Sequence, residues 1–332
     1  EITYGDWSSD VCSSDLLDRN EIPNATWVNQ HLAYTHGYGA VITAANQATK
    51  DQDPFYLLEG IPPEASGGLD LKQPAIYYGD GLSGFTVVDT KEAEIQPGAG
   101  GEEAAYRYDG DGGVQLSSTL RKAALALRFG DWNLFISGRV TNESRVLYIR
   151  DVRERVATAA PFLSFDSDPY PVLIDGRVLW IVDGYTSTSR YPYSQRVDGF
   201  GGLPSQFNYI RNSVKAVVDA YDGSVTFYVV DDTDPMIQAY RKAFPSMFTD
   251  GDEAPVELRA HYRYPEEMFT VQSDQWSRYH VTDPGAFFTG EERWSVASEP
   301  SAVVPSAPTA TTQPGQGNNG GRATNQADTG IP

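Results

Sequence analysis

Two stretches in which apolar and polar positions alternate, residues 171–183 and 214–234, organise the chain. The first reads PVLIDGRVLWIVD and the second VKAVVDAYDGSVTFYVVDDTD. In each, two apolar-rich runs are joined by Asp-Gly: Asp175-Gly176 in one, Asp222-Gly223 in the other. A type I′ turn needs φ > 0 at both central residues, so Asp-Gly between β-rich runs predicts a hairpin. Val214, Ala216, Val218 and Ala220 share one face, with Lys215 and Asp219 on the other and Val217 and Tyr221 beside them. That period of two marks an antiparallel strand. Leu173, Val178, Trp180 and Val182 can supply the facing surface. The pattern predicts an α+β fold, an antiparallel sheet built on two Asp-Gly hairpins and packed by several short helices.

Helical periods lie on either side of this core. Residues 117–129 predict a helix capped by Ser117 or Ser118, with Leu120, Ala124 and Leu127 as its stripe and Gly130 as its stop. Residues 142–160 predict a second, burying Ile149, Val152, Val156 and Ala159 and ended by Pro161. Its wet face would carry the i,i+4 pairs Arg150–Glu154 and Asp151–Arg155. Asp234 as N-cap and Pro235 at the first helical position open another, with Ile237, Tyr240 and Phe244 facing the core. Two more start at Pro255 and Pro265, the latter running to about His280, and residues 283–294 form a short closing segment. Residues 131–137 are apolar without a clear period. Earlier in the chain, residues 75–78 and 85–89 predict strands, and residues 92–105 a mobile surface insertion.

Composition narrows the partners. The 332 residues carry a net charge of -20, which argues against nucleic acid, whose phosphates attract Lys and Arg, and against an anionic membrane surface. The densest apolar run, residues 178–182, is far short of the ~20 residues of a membrane span. No basic segment leads into an apolar one as in a signal peptide. Residues 6–16, DWSSDVCSSDL, read as the in-frame translation of a sequencing adapter, so residues 1–16 are set aside as an artefactual leader. Cys12, the single cysteine, falls within it, which removes disulfides, thiolate zinc sites and a cysteine nucleophile from the remainder.

Several motifs have a functional reading and a plainer one. Gly79-Asp80-Gly81-Leu82-Ser83-Gly84 matches G-x-G-x-x-G, but strand-like FTVVDT follows where a dinucleotide site needs a helix. Asp109 and Asp111 lack the further ligands of a calcium loop. His31 and His36, five apart without a third ligand nearby, read as packing residues. Asn24-Ala25-Thr26 is a glycosylation sequon only in a glycosylating host. Arg145, Arg150, Arg153 and Arg155, interleaved with acids, read as a salt-bridged solvated face. Asp231, Asp232 and Asp234 read as a helix start before a metal site. No cofactor or metal site is expected. The stretch 184–211 is too long for an ordinary link between hairpins. Its aromatics and arginines make Tyr185, Arg190, Tyr191, Tyr193 and Arg196 the candidate ligand-binding residues, suited to stacking on sugar rings or clamping an anion. The alternative is a cover packed over the sheet. Asp166, Asp168 and Asp183 are the acids that a hydrolase would use.

The segments WVNQHLAYTHGYGAV, QPAIYYGD, LRKAALALRFGDWNLFIS, SRVLYIRDVRERV, FLSFDSDPYPVLIDGRVLWIVDGYTSTSRYPYS, NYIRNSVKAVVDAYDGSVTFYVVD and ELRAHYRYPEEMF, in this order, resemble uncharacterised protein family 0182. The resemblance implies large actinobacterial and cyanobacterial multi-pass membrane proteins with an extracytoplasmic domain, and supplies no reaction. Composition and pattern divide the chain into residues 17–116, a Gly/Pro-rich β part, residues 117–298, the α+β core, and residues 299–332, a disordered linker, and the resemblance assigns the first two to that domain. It implies a place at the cell membrane on the extracytoplasmic side, with the protein's own membrane-embedded helices as partner. Envelope glycan or another envelope protein is a further partner class. The expected role is binding or assembly. A hydrolase acting on envelope glycan, or a solute-sensing lid for a transporter, is the alternative.

Overall fold

The computed structural model describes residues 11–12, 24–51, 53–97 and 103–295. The fold is α+β. Its centre is a six-stranded sheet of β1 (Ser164–Phe165), β2 (Tyr170–Ile174), β3 (Arg177–Thr188), β4 (Tyr209–Asp219), β5 (Val225–Val229) and β6 (Phe248–Asp250). β1 and β2 share one edge of β3, and β4, β5 and β6 follow on its other side. All pairs are antiparallel except β5–β6.

The two Asp-Gly turns differ. Asp175 and Gly176 have φ of 53° and 80°, the two positive values that a type I′ turn requires. At the second turn only Gly223 is positive, at 70°. There the Asp219 carboxylate accepts the N–H groups of Tyr221 (2.8 Å) and Asp222 (3.2 Å), so a side chain builds a wider turn. The stretch 184–211 does not link separate hairpins. β3 and β4 extend into it and pair with each other, which leaves residues 189–208 as the connection. A small hairpin of Val197–Asp198 with Gln206–Phe207 lies inside that connection.

Both faces of the sheet are covered. Val178, Trp180, Val182, Val214, Ala216 and Val218 enter the main core with Tyr77, Tyr78, Val152, Val156 and Ile237. That core draws on residues from both sides of position 117. The opposite face buries Ile181 and Val217 with Tyr170 and Val172, against Ala254 and Leu258.

Helix α1 (Thr119–Phe129) starts at Ser118, whose hydroxyl accepts the N–H of Arg121, and stops at Gly130, φ 68°. Its buried side is not the expected stripe. Leu120 and Leu127 are 81% and 73% exposed, whereas Ala126 is buried and Leu125 and Phe129 pack inward. Phe129 decides the rotation, because its ring stacks on Phe85 at 4.5 Å. The apolar residues after it form the short helix α2 (Asn133–Ile136).

The predicted helix over 142–160 begins with a short strand instead. Arg145–Leu147 pairs with Thr86–Val88, Ile149 takes φ 52°, and only α3 (Val152–Ala159) is helical, capped by Asp151. Of its arginines, Arg153 is exposed and pairs with Asp80 as a solvated face would have it, but Arg150 and Arg155 turn inward. Arg150 is 4% exposed and donates to the carbonyls of Tyr77 and Thr35, both at 2.8 Å. Arg155 donates to Gly223 O at 2.6 Å and lies over the Tyr78 ring.

The segment expected as a surface insertion is also tied down. Glu94–Pro97 and Glu103–Tyr106 form a hairpin, and Glu94 is 2% exposed. Its carboxylate accepts the Tyr77 hydroxyl (2.6 Å), the Tyr108 N–H (2.8 Å) and the Thr35 hydroxyl.

The remaining helices are α4 (Pro235–Ala243), α5 (Val256–Ala260), α6 (Glu266–Tyr279) and α7 (Pro284–Thr289). No helix among the described residues is long and apolar enough to cross a membrane. The predicted linker 299–332, and the leader apart from Val11–Cys12, lie outside the described residues.

The second turn yields a test. A Cβ on Gly223 would lie 2.5 Å from the Tyr78 ring, whereas one on Gly68, φ 86°, would meet nothing within 4 Å. Gly68→Ala is expected to cost about 1 kcal/mol for left-handed backbone alone. Gly223→Ala is expected to cost about 2–4 kcal/mol because overpacking adds to it. Urea unfolding of the two variants measures the difference.

Candidate functional site

The site begins with a bulge. Gly184 of β3 opposes Val214, but Tyr185 opposes Asn212, so Ser213 is an extra residue on β4. A bulge re-aims the side chains around it. Here Ser213 turns to the same side as Val214, towards α4, and Asn212 turns to the side of α6.

On the α4 side lies Asp234, fully buried. It accepts the hydroxyls of Thr186 (2.5 Å), Tyr209 (2.6 Å) and Ser213 (2.7 Å), and the N–H groups of Met236 (3.0 Å) and Ile237 (3.3 Å). Burial pushes its carboxyl up, but the hydrogen bonds from Ser213, Thr186, Tyr209 and Met236 outweigh burial and hold it below the usual range. The candidate metal acid is thus a helix cap stitched to the sheet. No group of three or more His, Cys, Asp or Glu able to hold a metal ion occurs among the described residues.

On the α6 side Asp183 and Lys215 face each other across β3 and β4 as an ion pair, 3% and 4% exposed. Asp183 also accepts Asn212 Nδ2 at 3.0 Å, and Lys215 donates to Arg263 O at 2.8 Å. Burial pushes Asp183 up and Lys215 down, and each partner opposes the other's shift. Next to them Asp166 accepts the Tyr185 hydroxyl (2.5 Å) and the N–H groups of Asp168 (3.0 Å) and Glu267 (3.2 Å). Glu267 is 3% exposed. Its Oε1 accepts Gly202 N at 2.7 Å and Ser167 N at 3.1 Å, and its Oε2 has no partner among the described residues. Burial raises its pKa against the opposing bonds from Gly202 and Ser167.

Lys215 forms part of the wall of an open cleft of about 560 Å³, with Arg211, Asn212, Asp231, Tyr262, Arg263, Tyr264, Met268 and Gln272. Its arginines are already paired: Arg211 with Asp231 at 2.8 Å, and Arg263 with Asp168 while lying over the Tyr170 ring. Tyr264 is 58% exposed and donates its hydroxyl to Gln272 at 2.6 Å. Tyr262 is half-buried, and burial pushes its hydroxyl up to about 12.

The structure distributes the predicted ligand residues differently. Tyr185 is wholly buried, so it is unavailable to a ligand. Arg190, Tyr191, Tyr193 and Arg196 are exposed on the 189–208 connection and do not line the cleft. Tyr191 stacks on Tyr209 at 5.7 Å, and Arg196 donates to Ser189 O at 3.3 Å. Leu203 and Phe207 of the same connection pack on Tyr185, Met268 and Val271, so part of it is a cover. Among the three candidate acids, Asp166 and Asp183 are buried and partnered and Asp168 is exposed and paired; none lines the cleft. His31 Nδ1 meets Phe85 O at 3.0 Å, and His36 lies buried 3.6 Å from Glu94. Sequence reasoning missed Asn212, Tyr262, Tyr264, Glu267 and Gln272. The available signal was Lys215, a cation set among residues that bury both faces.

Fold and site together define an α+β unit whose helix-covered antiparallel sheet carries a charge-balanced cleft. The chain belongs to UPF0182, an uncharacterised protein family whose profile matches residues 11–319. It is 43% identical to a UPF0182 protein of Desulforamulus reducens over 85% of this chain and 30% of that protein. It is 44% identical to one from Kineococcus radiotolerans over 87% of this chain, and 44% identical to one from a Sulfurovum species over 82%, again 30% of each relative. The chain thus spans about 30% of the length of these curated relatives. The relatives come from many bacterial phyla, a wider range than the actinobacterial and cyanobacterial one expected. No solved structure matches the chain. The family match begins inside the adapter-like stretch, where Val11–Cys12 pairs with Val41 and Ile42.

Glu267 gives a pH test. Its folded pKa is raised, so its favourable contribution is complete below the ordinary glutamate pKa and is lost as pH rises through the folded value. Glu267→Gln keeps the shape and the Oε1 acceptor without the charge. It is expected to exceed the wild type in stability near pH 8, with the gap closing as pH falls into the ordinary glutamate range. Chemical denaturation across that range checks it.

Proposed function

We propose that this chain is an extracytoplasmic domain of a cell-envelope membrane protein and acts by binding rather than catalysis. Its ligand is a neutral, hydroxyl-rich one, envelope glycan, held in the cleft beside Lys215. The observation that carries this reading is the charge balance of the cleft. Arg211, Arg263 and Lys215 each face a carboxylate of the protein: Asp231, Asp168 and Asp183. A phosphate or carboxylate would have to displace those acids, whereas hydroxyls can bond to paired ions and leave them in place. Asn212 and Gln272 add amides, and Tyr262 and Tyr264 add flat faces for the C–H side of a sugar ring. The engagement of Asp166, Asp168 and Asp183 with other groups weighs against their use in hydrolysis.

Tyr191 and Tyr193 offer a second aromatic surface nearby. The Tyr191–Tyr209 stack anchors it to the end of β4, which also supplies Ile210 and Arg211 to the cleft. The place in the envelope, and a link to membrane-embedded helices of the same protein, are supported by the family resemblance and by the much greater length of the relatives.

Calorimetry with neutral and with phosphate-bearing cell-wall oligosaccharides tests the reading. Neutral glycan is expected to bind, and Tyr264→Ala to weaken it about tenfold. If instead Tyr191→Ala with Tyr193→Ala abolishes retention on cell-wall material while Tyr264→Ala does not, the site is on the 189–208 connection. Preference for the anionic oligosaccharide, or no binding to either, overturns the assignment.

A further inference from the structure

The outer side of α1 is apolar where a surface helix is normally polar. Leu120, Ala124 and Leu127, at helical spacing, are all exposed. The opposite side is already spent on the core, through Leu125, Ala126 and Phe129. The chain then turns into α2, where Trp132 and Ile136 are 58% and 71% exposed. This segment therefore presents a second apolar surface that nothing in the described fold covers.

Its charge is opposite to that of the whole chain. Residues 119–139 hold Arg121, Lys122, Arg128 and Arg139 against one acid, Asp131, in a chain of net charge -20. Arg139 pairs with Glu92. The other three form no ion pair among the described residues: Arg121 donates to Gln115 O, Lys122 donates to Val140 O, and Arg128 lies over the Tyr148 ring. Exposed leucines flanked by unpaired cations, with a tryptophan at one end, are the composition of a helix that lies in a membrane interface. The apolar side chains enter the headgroup boundary while long basic side chains reach the lipid phosphates.

We propose that the α1–α2 hairpin docks on the surface of a bilayer containing anionic lipid. Positive charge around the patch favours phosphate headgroups over a further apolar protein surface. Net charge alone disfavours such a surface, but attraction falls off within about a Debye length of ~10 Å, so the local cations govern the contact. The acidic remainder is repelled and confines contact to the hairpin. This surface is built on a different hydrophobic cluster from the cleft and does not depend on what the cleft holds.

Co-sedimentation of the chain with phosphatidylcholine vesicles, with and without roughly 30 mol% phosphatidylglycerol, tests it. Binding is expected only with the anionic lipid, and is expected to weaken as salt rises. Leu120→Asp with Leu127→Asp, and separately Arg121→Glu with Lys122→Glu, should each lower the partition coefficient about tenfold or more. Wild-type partition by both variants, each shown to be folded by circular dichroism, overturns the proposal. So does failure of the wild type to bind anionic vesicles, which would assign the surface to a protein contact.

Discussion

β3 and β4 run side by side over ten registered pairs, and neither face of the pair meets bulk water along its centre. One face carries Trp180, Val182, Ala216 and Val218 into the main core, and the other carries Ile181 and Val217 under α5. A sheet buried on both sides has no wet face on which to park a charge. Each polar residue on these strands must therefore be answered locally, because an unpaired buried charge costs several kcal/mol. The site follows from that requirement. Asp183 answers Lys215, Asn212 bonds to Asp183, and the Ser213 bulge sends a hydroxyl the other way to Asp234. The bulge thus lets one strand serve two polar networks on opposite faces.

These networks also hold the covering helices. Asp234 caps α4 and receives hydroxyls from β3 and β4 at once, so the helix start and the strand pair are one unit. Asp166 accepts the first-turn N–H of Glu267 in α6, and the Glu267 carboxylate accepts backbone N–H groups at Ser167 and Gly202. Hydrogen bonds of this kind contribute modestly when made and cost much more when one partner is removed. The wall of the cleft is accordingly set by groups that a ligand would not touch.

Much of the fold was legible because its determinants are local. The alternation in 214–220, the Asp175-Gly176 turn, the Ser118 and Asp234 caps and the Gly130 stop are written in neighbouring residues. What was not legible depends on distant partners. Nothing near Leu120 and Leu127 says that Phe129 will be drawn to Phe85, which rotates α1. Nothing near Arg150 says that its targets are the carbonyls of Tyr77 and Thr35, so the surrounding acids read as a surface helix. Glu94 sits in a Gly-rich stretch and becomes a core carboxylate only when Tyr77 and Thr35 arrive. The candidate site was partly legible for the same reason. The aromatic residues of the 189–208 connection stood out by composition, whereas the cleft draws its wall from strand, turn and helix segments that only tertiary packing joins.

The position of Arg150 has a consequence for assembly. Its guanidinium joins the backbone at residues 35 and 77, and the N–H groups of Tyr77 and Tyr78 bond in turn to Ala220 O. The segments around residues 35 and 77 therefore find this docking surface only after residue 220 has been synthesised. Contacts of such sequence separation close late and slowly. Until then these segments hold only local strand pairings, such as Gly37–Tyr38 with Ala75–Ile76, and are the part most in need of protection from aggregation.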